Sequence, residues 1–299
     1  MSLLALTVVI ASTFMQAAWN LMARHGRAES HFMRRLLLST CAIWLAPALV
    51  AEFMQGPLDT RLLTLVAVSG VCSGIYFRSL AKGYESSDFT IVYPMVRALP
   101  VLLLAACDLL RGSVPSAAGW TGILLVVVGC FLVPLRAWRD FHPRAYMQPV
   151  VVWVLIGALA TMGYSMIDKV ASDHVRETGA VGATMVITIL RYTYYYIVVA
   201  TITNEVLSRF GRAKPAPARP AALRYPIIAG ILNYLSYAMI VWVYQTTAQV
   251  SYVVAFRQFS IVIGVIAAFV IFHEQGKFVR ITATLLITAG LLIIGLWGN

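Results

Sequence analysis

Long apolar runs alternate with short polar connectors from one end of the chain to the other. Five runs, Leu3–Met22, Leu36–Phe53, Leu62–Leu80, Phe89–Leu110 and Trp120–Leu135, are followed by five more, Val150–Ile167, Val181–Thr203, Tyr225–Tyr244, Val250–Phe272 and Val279–Trp297. A helix needs roughly 20 apolar residues to cross the hydrocarbon of a bilayer. Backbone groups in lipid must find partners within the protein, so spans with such short connections have to be helices. The pattern predicts an all-α integral membrane protein with ten transmembrane helices, five in residues 1–140 and five in 141–299. An odd number of spans per half inverts the second half in the membrane. Two inverted halves around a midplane cavity are a common plan of secondary transporters.

Composition agrees with the pattern. Apolar residues make up 60% of the 299 and charged residues 12%, against about a quarter charged in soluble domains. The formal charge of +11 invites a nucleic-acid reading. The placement of the basic residues rejects it, because they gather in alternate loops as the positive-inside rule demands. Arg24, Arg27, Arg34 and Arg35 fill the first loop, and Arg209, Arg212, Lys214, Arg219 and Arg224 fill the seventh. The opposite side holds only Arg61, Arg111, Lys169 and Arg176. The basic side is therefore expected in the cytoplasm and both termini outside. The longest connector, 204–224, carries Pro215, Pro217 and Pro220 and reads as a solvated cytoplasmic link. Cys41, Cys72, Cys107 and Cys130 all lie in apolar runs without metal spacing and read as packing residues.

The halves repeat one another. A shift of 160 residues lays Tyr84 on Tyr244, Arg97 on Arg257, and Ser73 and Phe77 on Asn233 and Tyr237. A shift of 145 lays Trp19 on Tyr164 and Arg24 on Lys169. The layout resembles the drug/metabolite transporter superfamily, in particular its EamA-type members. Pro94-Met-Val-Arg97-Ala-Leu-Pro100 is similar to that family's stretch in the fourth span. Phe272-His273-Glu274-Gln275, followed by Ala289-Gly290, resembles its acidic loop and last span, whereas the first half has Ser113-Val114-Pro115 in that place. Within the superfamily the chain most resembles the YddG-type exporters of aromatic and other amino acids. The resemblance implies export of amino acids out of the cytoplasm across a bacterial inner membrane by alternating access. It also implies cavity-lining roles for spans 1, 3, 4, 6, 8 and 9, with the second span of each half peripheral.

Candidate residues follow from cost and chemistry. A charge deep in a bilayer costs several kcal/mol, roughly 2.5–3.5 on insertion scales, which singles out Arg97 and Arg257. Either arginine can offer paired donors to a substrate carboxylate. Alternatively, each snorkels or bonds carbonyls freed by neighbouring prolines. Pro94 and Pro100 are candidate hinge points. Arg191 stands beside Tyr194, Tyr195 and Tyr196, which would stack on its guanidinium.

Aromatic residues could build a wall that stacks a hydrophobic side chain while hydroxyls orient polar groups. The candidates are Trp19, Tyr76, Tyr84, Tyr93, Tyr164, Tyr237 and Tyr244, with Asn233 four residues before Tyr237 on the same helix face. Tyr84, Tyr93 and Tyr244 stand near span ends, where tyrosines also gather as interface belts. Gly70 and Gly74 form a GxxxG pair expected to pack helices inside the bundle. Gly129 and Gly290 are expected to do the same.

Absences matter as well. No Asp, Glu or His lies in the middle third of a predicted span. Asp168, at the end of span 6, is expected to pair with a neighbouring cation. A deep acidic residue is what cation pumps rely on, so its absence favours amino acids over cationic drugs. His273-Glu274 lacks the second histidine of a zinc-protease motif, Lys277 standing there, and no P-loop is present. The chain is read as a non-enzymatic transporter without cofactor or metal, working as a monomer in the lipid bilayer on small-molecule substrates. A drug-efflux pump is the next reading, and a membrane-embedded enzyme or scramblase the one after.

Overall fold

The structure is a computed structural model. It describes residues 2–25, 32–85, 89–133, 135, 137–140, 150–210, 222–270 and 277–298. For residues 24–25, 83–85, 89–97, 140, 150, 268–269 and 277 it describes the backbone alone. The helices are α1 (Leu3–His25), α2 (Phe32–Gln55), α3 (Thr60–Glu85), α4 (Phe89–Leu110), α5 (Ala117–Leu132), α6 (Val150–Glu177), α7 (Gly182–Arg209), α8 (Arg224–Tyr244), α9 (Val250–Arg257), α10 (Phe259–Val270) and α11 (Lys277–Trp297). The described residues contain no strand.

Eight helical stretches are long and apolar enough to cross a membrane, with α9 and most of α10 counting as one. The shorter apolar stretches Ala98–Leu110 in α4 and Ala117–Leu132 in α5 accompany them. Large apolar side chains such as Leu49, Phe53, Leu124, Leu159 and Leu285 stand exposed on the outside of the bundle. A surface of that kind is stable against lipid and not against water. The protein is an all-α, multi-pass membrane protein.

Two elements differ from the sequence pattern. The ninth apolar run was expected as one helix over 250–272, but it breaks at Gln258. The Gln258 N–H turns to the Ala255 carbonyl, its side-chain amide donates to the Val254 carbonyl, and the Ser260 hydroxyl takes the Arg257 carbonyl. These bonds satisfy the last turn of α9 where the helical ladder stops. The sixth run was expected to end at Ile167, but α6 continues to Glu177. By contrast, α4 runs through Pro94 and Pro100 without interruption.

The end of α4 shows how local chemistry joins distant elements. Gly112 adopts φ 75°, the Ser113 N–H reaches the Asp108 carbonyl at 2.9 Å, and the Gly112 N–H reaches Leu109 at 3.0 Å. This is a Schellman stop, which needs the left-handed residue that glycine supplies. The Asp108 side chain then accepts the backbone N–H groups of Val250 at 3.1 Å and Ser251 at 2.8 Å. It caps α9 from another helix, where Gln249 supplies no side-chain cap of its own.

Close packing sets the bundle. Helix α3 lies against α6 and α7, α1 against α8, α5 against α11, α2 against α7 and α8, and α4 against α5, α6 and α9. Gly70 and Gly74 do face inward: a Cβ on Gly70 would stand 2.6 Å from Val199 Cβ, and one on Gly74 2.4 Å from Thr203 Cβ. Across α5 and α11, Gly122 and Gly290 each bring their partner's carbonyl within 2.6 Å of where a Cβ would be. Lipid offers no hydrophobic drive between helices, so van der Waals contact of this closeness is what holds them.

Candidate functional site

A cavity opens inside the bundle where α1, α3, α4, α6, α7, α8 and α9 converge. The cavity itself is narrow, about 50 Å³. Gln16, Trp19, Tyr76, Phe77, Pro100, Thr161, Tyr164, Tyr196, Asn233, Tyr237, Val254, Arg257 and Gln258 line it. Of the residues singled out in the sequence, Trp19, Tyr76, Tyr164, Asn233, Tyr237, Arg257 and Pro100 are brought together here. Tyr244 is fully buried and lies outside the lining set. The side chains of Tyr84, Tyr93, Pro94 and Arg97 lie outside the described residues.

The lining is an interlocked aromatic set. Tyr196 and Tyr237 stack with centroids 4.8 Å apart. Tyr164 meets Tyr237 edge-on at 5.7 Å, Tyr196 at 6.2 Å and Tyr76 at 5.9 Å. Ring pairs in these arrangements are favourable beyond the area they bury, because the electron-poor edge meets the electron-rich face. Arg257 sits with its guanidinium carbon 5.5 Å from the Tyr237 centroid, and its Nε donates to the Gln16 side-chain oxygen at 3.3 Å. The amide nitrogen of Asn233 is buried and has no hydrogen-bond partner. Among the described residues the cavity thus presents aromatic faces and a guanidinium, with an unpartnered amide in its wall, groups that suit a ring and a carboxylate.

A carboxylate lies one layer behind this wall. Asp168 has no exposed surface. Its Oδ1 accepts the Ser69 hydroxyl at 2.5 Å and the Tyr192 hydroxyl at 2.6 Å, and its Oδ2 accepts the Tyr237 hydroxyl. Two expectations are overturned here. Asp168 is not at a helix end, because α6 runs nine residues further. Nor does it pair with the adjacent cation: Lys169 turns to Asp173 at 2.6 Å and to the Tyr244 carbonyl at 2.7 Å. Three hydroxyl donors replace the ion pair, and they join α3, α7 and α8 to α6. A buried carboxylate is tolerable on those terms, since both of its oxygens accept hydrogen bonds.

Arg191 also departs from expectation. Its guanidinium donates to Glu52 at 2.8 Å and to the Gly56 carbonyl at 2.5 Å, joining α7 to the end of α2. The neighbouring tyrosines do not hold it. Tyr194 and Tyr195 pair with each other edge-on, while Tyr196 turns into the cavity. The seventh helix is therefore not peripheral to the cavity. Gln16, Thr161, Val254 and Gln258 are lining residues that the sequence did not mark, and Tyr196 and Phe77 were marked for other reasons.

No family model matches the chain, and no curated protein matches it. A solved structure described only as "Crystal structure of protein" is similar, with a TM-score of 0.64, 14% identity and 98% of each chain covered. At that identity the likeness is one of fold.

Proposed function

We propose that the protein is a secondary transporter of a bacterial inner membrane that exports amino acids, aromatic and other large neutral ones above all, by alternating access. The observation that carries this reading is Arg257 standing in an aromatic cavity between the two sequence repeats. A guanidinium answers the carboxylate every amino acid has, and the tyrosine faces answer the side chain. The resemblance to EamA-type and YddG-type transporters points the same way.

The inverted-repeat reading has support within the cavity. Gln16 and Thr161, and Trp19 and Tyr164, are related by the 145-residue shift, and Phe77 and Tyr237 by the 160-residue shift; all six line it. The helix pairs exchange in the same way. Contact of α3 with α6 mirrors α8 with α1, and contact of α4 with α6 mirrors α9 and α10 with α1. On this reading the two halves rock about their interface, with the basic loops cytoplasmic and both termini outside.

Uptake of labelled phenylalanine, tryptophan and threonine by reconstituted liposomes tests the proposal. The aromatic amino acids should be carried, and Arg257→Gln should reduce that at least about tenfold, the loss of a charge-assisted contact. A second reading, efflux of cationic drugs, is favoured by Asp168 lying behind the cavity wall. Transport of a cationic dye without any amino acid would select it.

A further inference from the structure

A second, polar pocket lies at the end of the bundle where α6 and α8 finish and α9 begins. Its volume is about 450 Å³, and Arg111, Lys169, Asp173, Arg176 and Gln245 line it beside Thr246 and Thr247. Asp173 is surrounded by cations. Lys169 Nζ stands 2.6 Å from its Oδ1, Arg176 3.5 Å from the same oxygen, and Arg111 3.6 Å from Oδ2. Asp108 also acts electrostatically on Arg111, so two carboxylates face three cations and the pocket keeps a smaller positive excess.

Placement makes that excess unusual. The charge pattern assigns Arg111, Lys169 and Arg176 to the sparsely basic side of the membrane, where they are three of four lysines and arginines. Topology selects basic residues on the opposite side, so it does not account for a cluster here. An independent observation lies in the same pocket. Gln245 is 5% exposed, and neither its amide nitrogen nor its amide oxygen has a hydrogen-bond partner. A buried amide unsatisfied at both ends is costly unless something else fills it. Its backbone is fully engaged, the carbonyl taking Arg176 at 3.0 Å.

We propose that this pocket is a binding site for the carboxylate of a small organic anion, distinct from the aromatic cavity. Arg111, whose side chain is partly open to solvent, supplies the fork of donors that a carboxylate fits. Arg176 and the Gln245 amide nitrogen flank it. Lys169 is committed to Asp173 and the Tyr244 carbonyl and holds the pocket's floor. The Gln245 amide oxygen is an acceptor that a neighbouring ammonium can use, so a zwitterion fits as well as a simple anion. The site stands whether or not amino acids are the transported substrate.

Calorimetric titration of the purified full-length protein in detergent with sodium phenylacetate tests this. Binding should be seen, weaken as salt rises, and fall about tenfold in Arg111→Gln and in Gln245→Leu, each removing a donor. It should persist in Arg257→Gln. L-phenylalanine in place of phenylacetate, both titrated into Arg257→Gln so that the aromatic cavity does not contribute, tells the two carboxylate sources apart: tighter binding assigns the zwitterion, and weaker binding the simple anion. No phenylacetate binding, or binding unchanged in both pocket variants, overturns the proposal. So does equal binding of phenethylamine, which lacks the carboxylate, or displacement by equimolar chloride. Loss in Arg257→Gln alone assigns the heat to the aromatic cavity; it overturns this site and leaves the transport reading standing.

Discussion

The hydroxyl of Tyr237 donates to the carboxylate of Asp168, so the wall of the aromatic cavity is bonded to a charge buried behind it. The same ring stacks on Tyr196 and carries Arg257 over its face. One side chain therefore couples a buried acceptor, an aromatic stack and a cation.

Tyr237→Phe and Asp168→Asn should be strongly non-additive. Each alone should lower stability by about 1–3 kcal/mol, the usual cost of orphaning a buried hydrogen-bonding group. The double variant should cost less than the sum, by about 0.5–3 kcal/mol, as for residues sharing one network. Thermal unfolding of the four proteins in one detergent measures this. Simple additivity would mean that the two residues do not act together.

Asn233→Leu should separate stability from function. The Asn233 amide nitrogen has no partner, so replacing the side chain with an apolar one of similar size should leave the melting temperature unchanged or raise it. If that donor serves substrate, KM for transport should rise by about tenfold. A fall in stability with KM unchanged would make Asn233 a packing residue.

Gly74→Ala should destabilise the bundle. Its new methyl would stand 2.4 Å from Thr203 Cβ and 2.8 Å from the Ala200 carbonyl, positions on a rigid helix that cannot yield cheaply. Overpacking of this kind costs about 1–3 kcal/mol. Gly264→Ala, where a Cβ meets nothing within 4 Å, serves as the control and should melt at or slightly above the parent temperature. Equal melting temperatures for the two variants would show that α3 and α7 can separate freely.

Acid should loosen the junction between α3 and α6. Asp59 caps α3 by accepting the Leu62 N–H at 2.9 Å and faces His174 Nε2 at 3.0 Å. Desolvation pushes its carboxyl upward, but the Leu62 N–H and His174 outweigh that and hold it below the ordinary value. A depressed folded pKa gives stability that is present above the unfolded value near 3.9 and is lost as pH falls through the folded one. The exposed pair contributes about 0–1 kcal/mol. Melting temperatures between pH 3 and 6 should fall toward acid in the parent and less steeply in Asp59→Asn, which keeps a capping side chain. Parallel curves would remove Asp59 from the acid response.

Several cavity residues were legible because helical and repeat spacing report on faces. Asn233 and Tyr237, four apart on α8, share a face and both reach the cavity, as do Trp19 and Tyr164 from corresponding places in the halves. Tyr196 was not legible. In a run of three tyrosines every direction of the helix carries the same chemistry, and only packing against α8 selects one. Asp168 was misplaced because polarity was taken to mark the membrane boundary. The run Asp168, Lys169, Ser172, Asp173 looks like an exit, yet Asp168, Lys169 and Ser172 are buried by protein partners that no local pattern records. The break at Gln258 carries no proline or glycine, and its signature lies in side chains that return to the backbone.

The cap that Asp108 places on α9 has a mechanical meaning. Its two bonds tie the last turn of α4, in residues 1–140, to the first turn of α9, in 141–299. A displacement that parts α4 from α9 must break both and strand a buried carboxylate and two N–H groups together. Asp108 therefore acts as a pin between two helix ends that are distant in the chain.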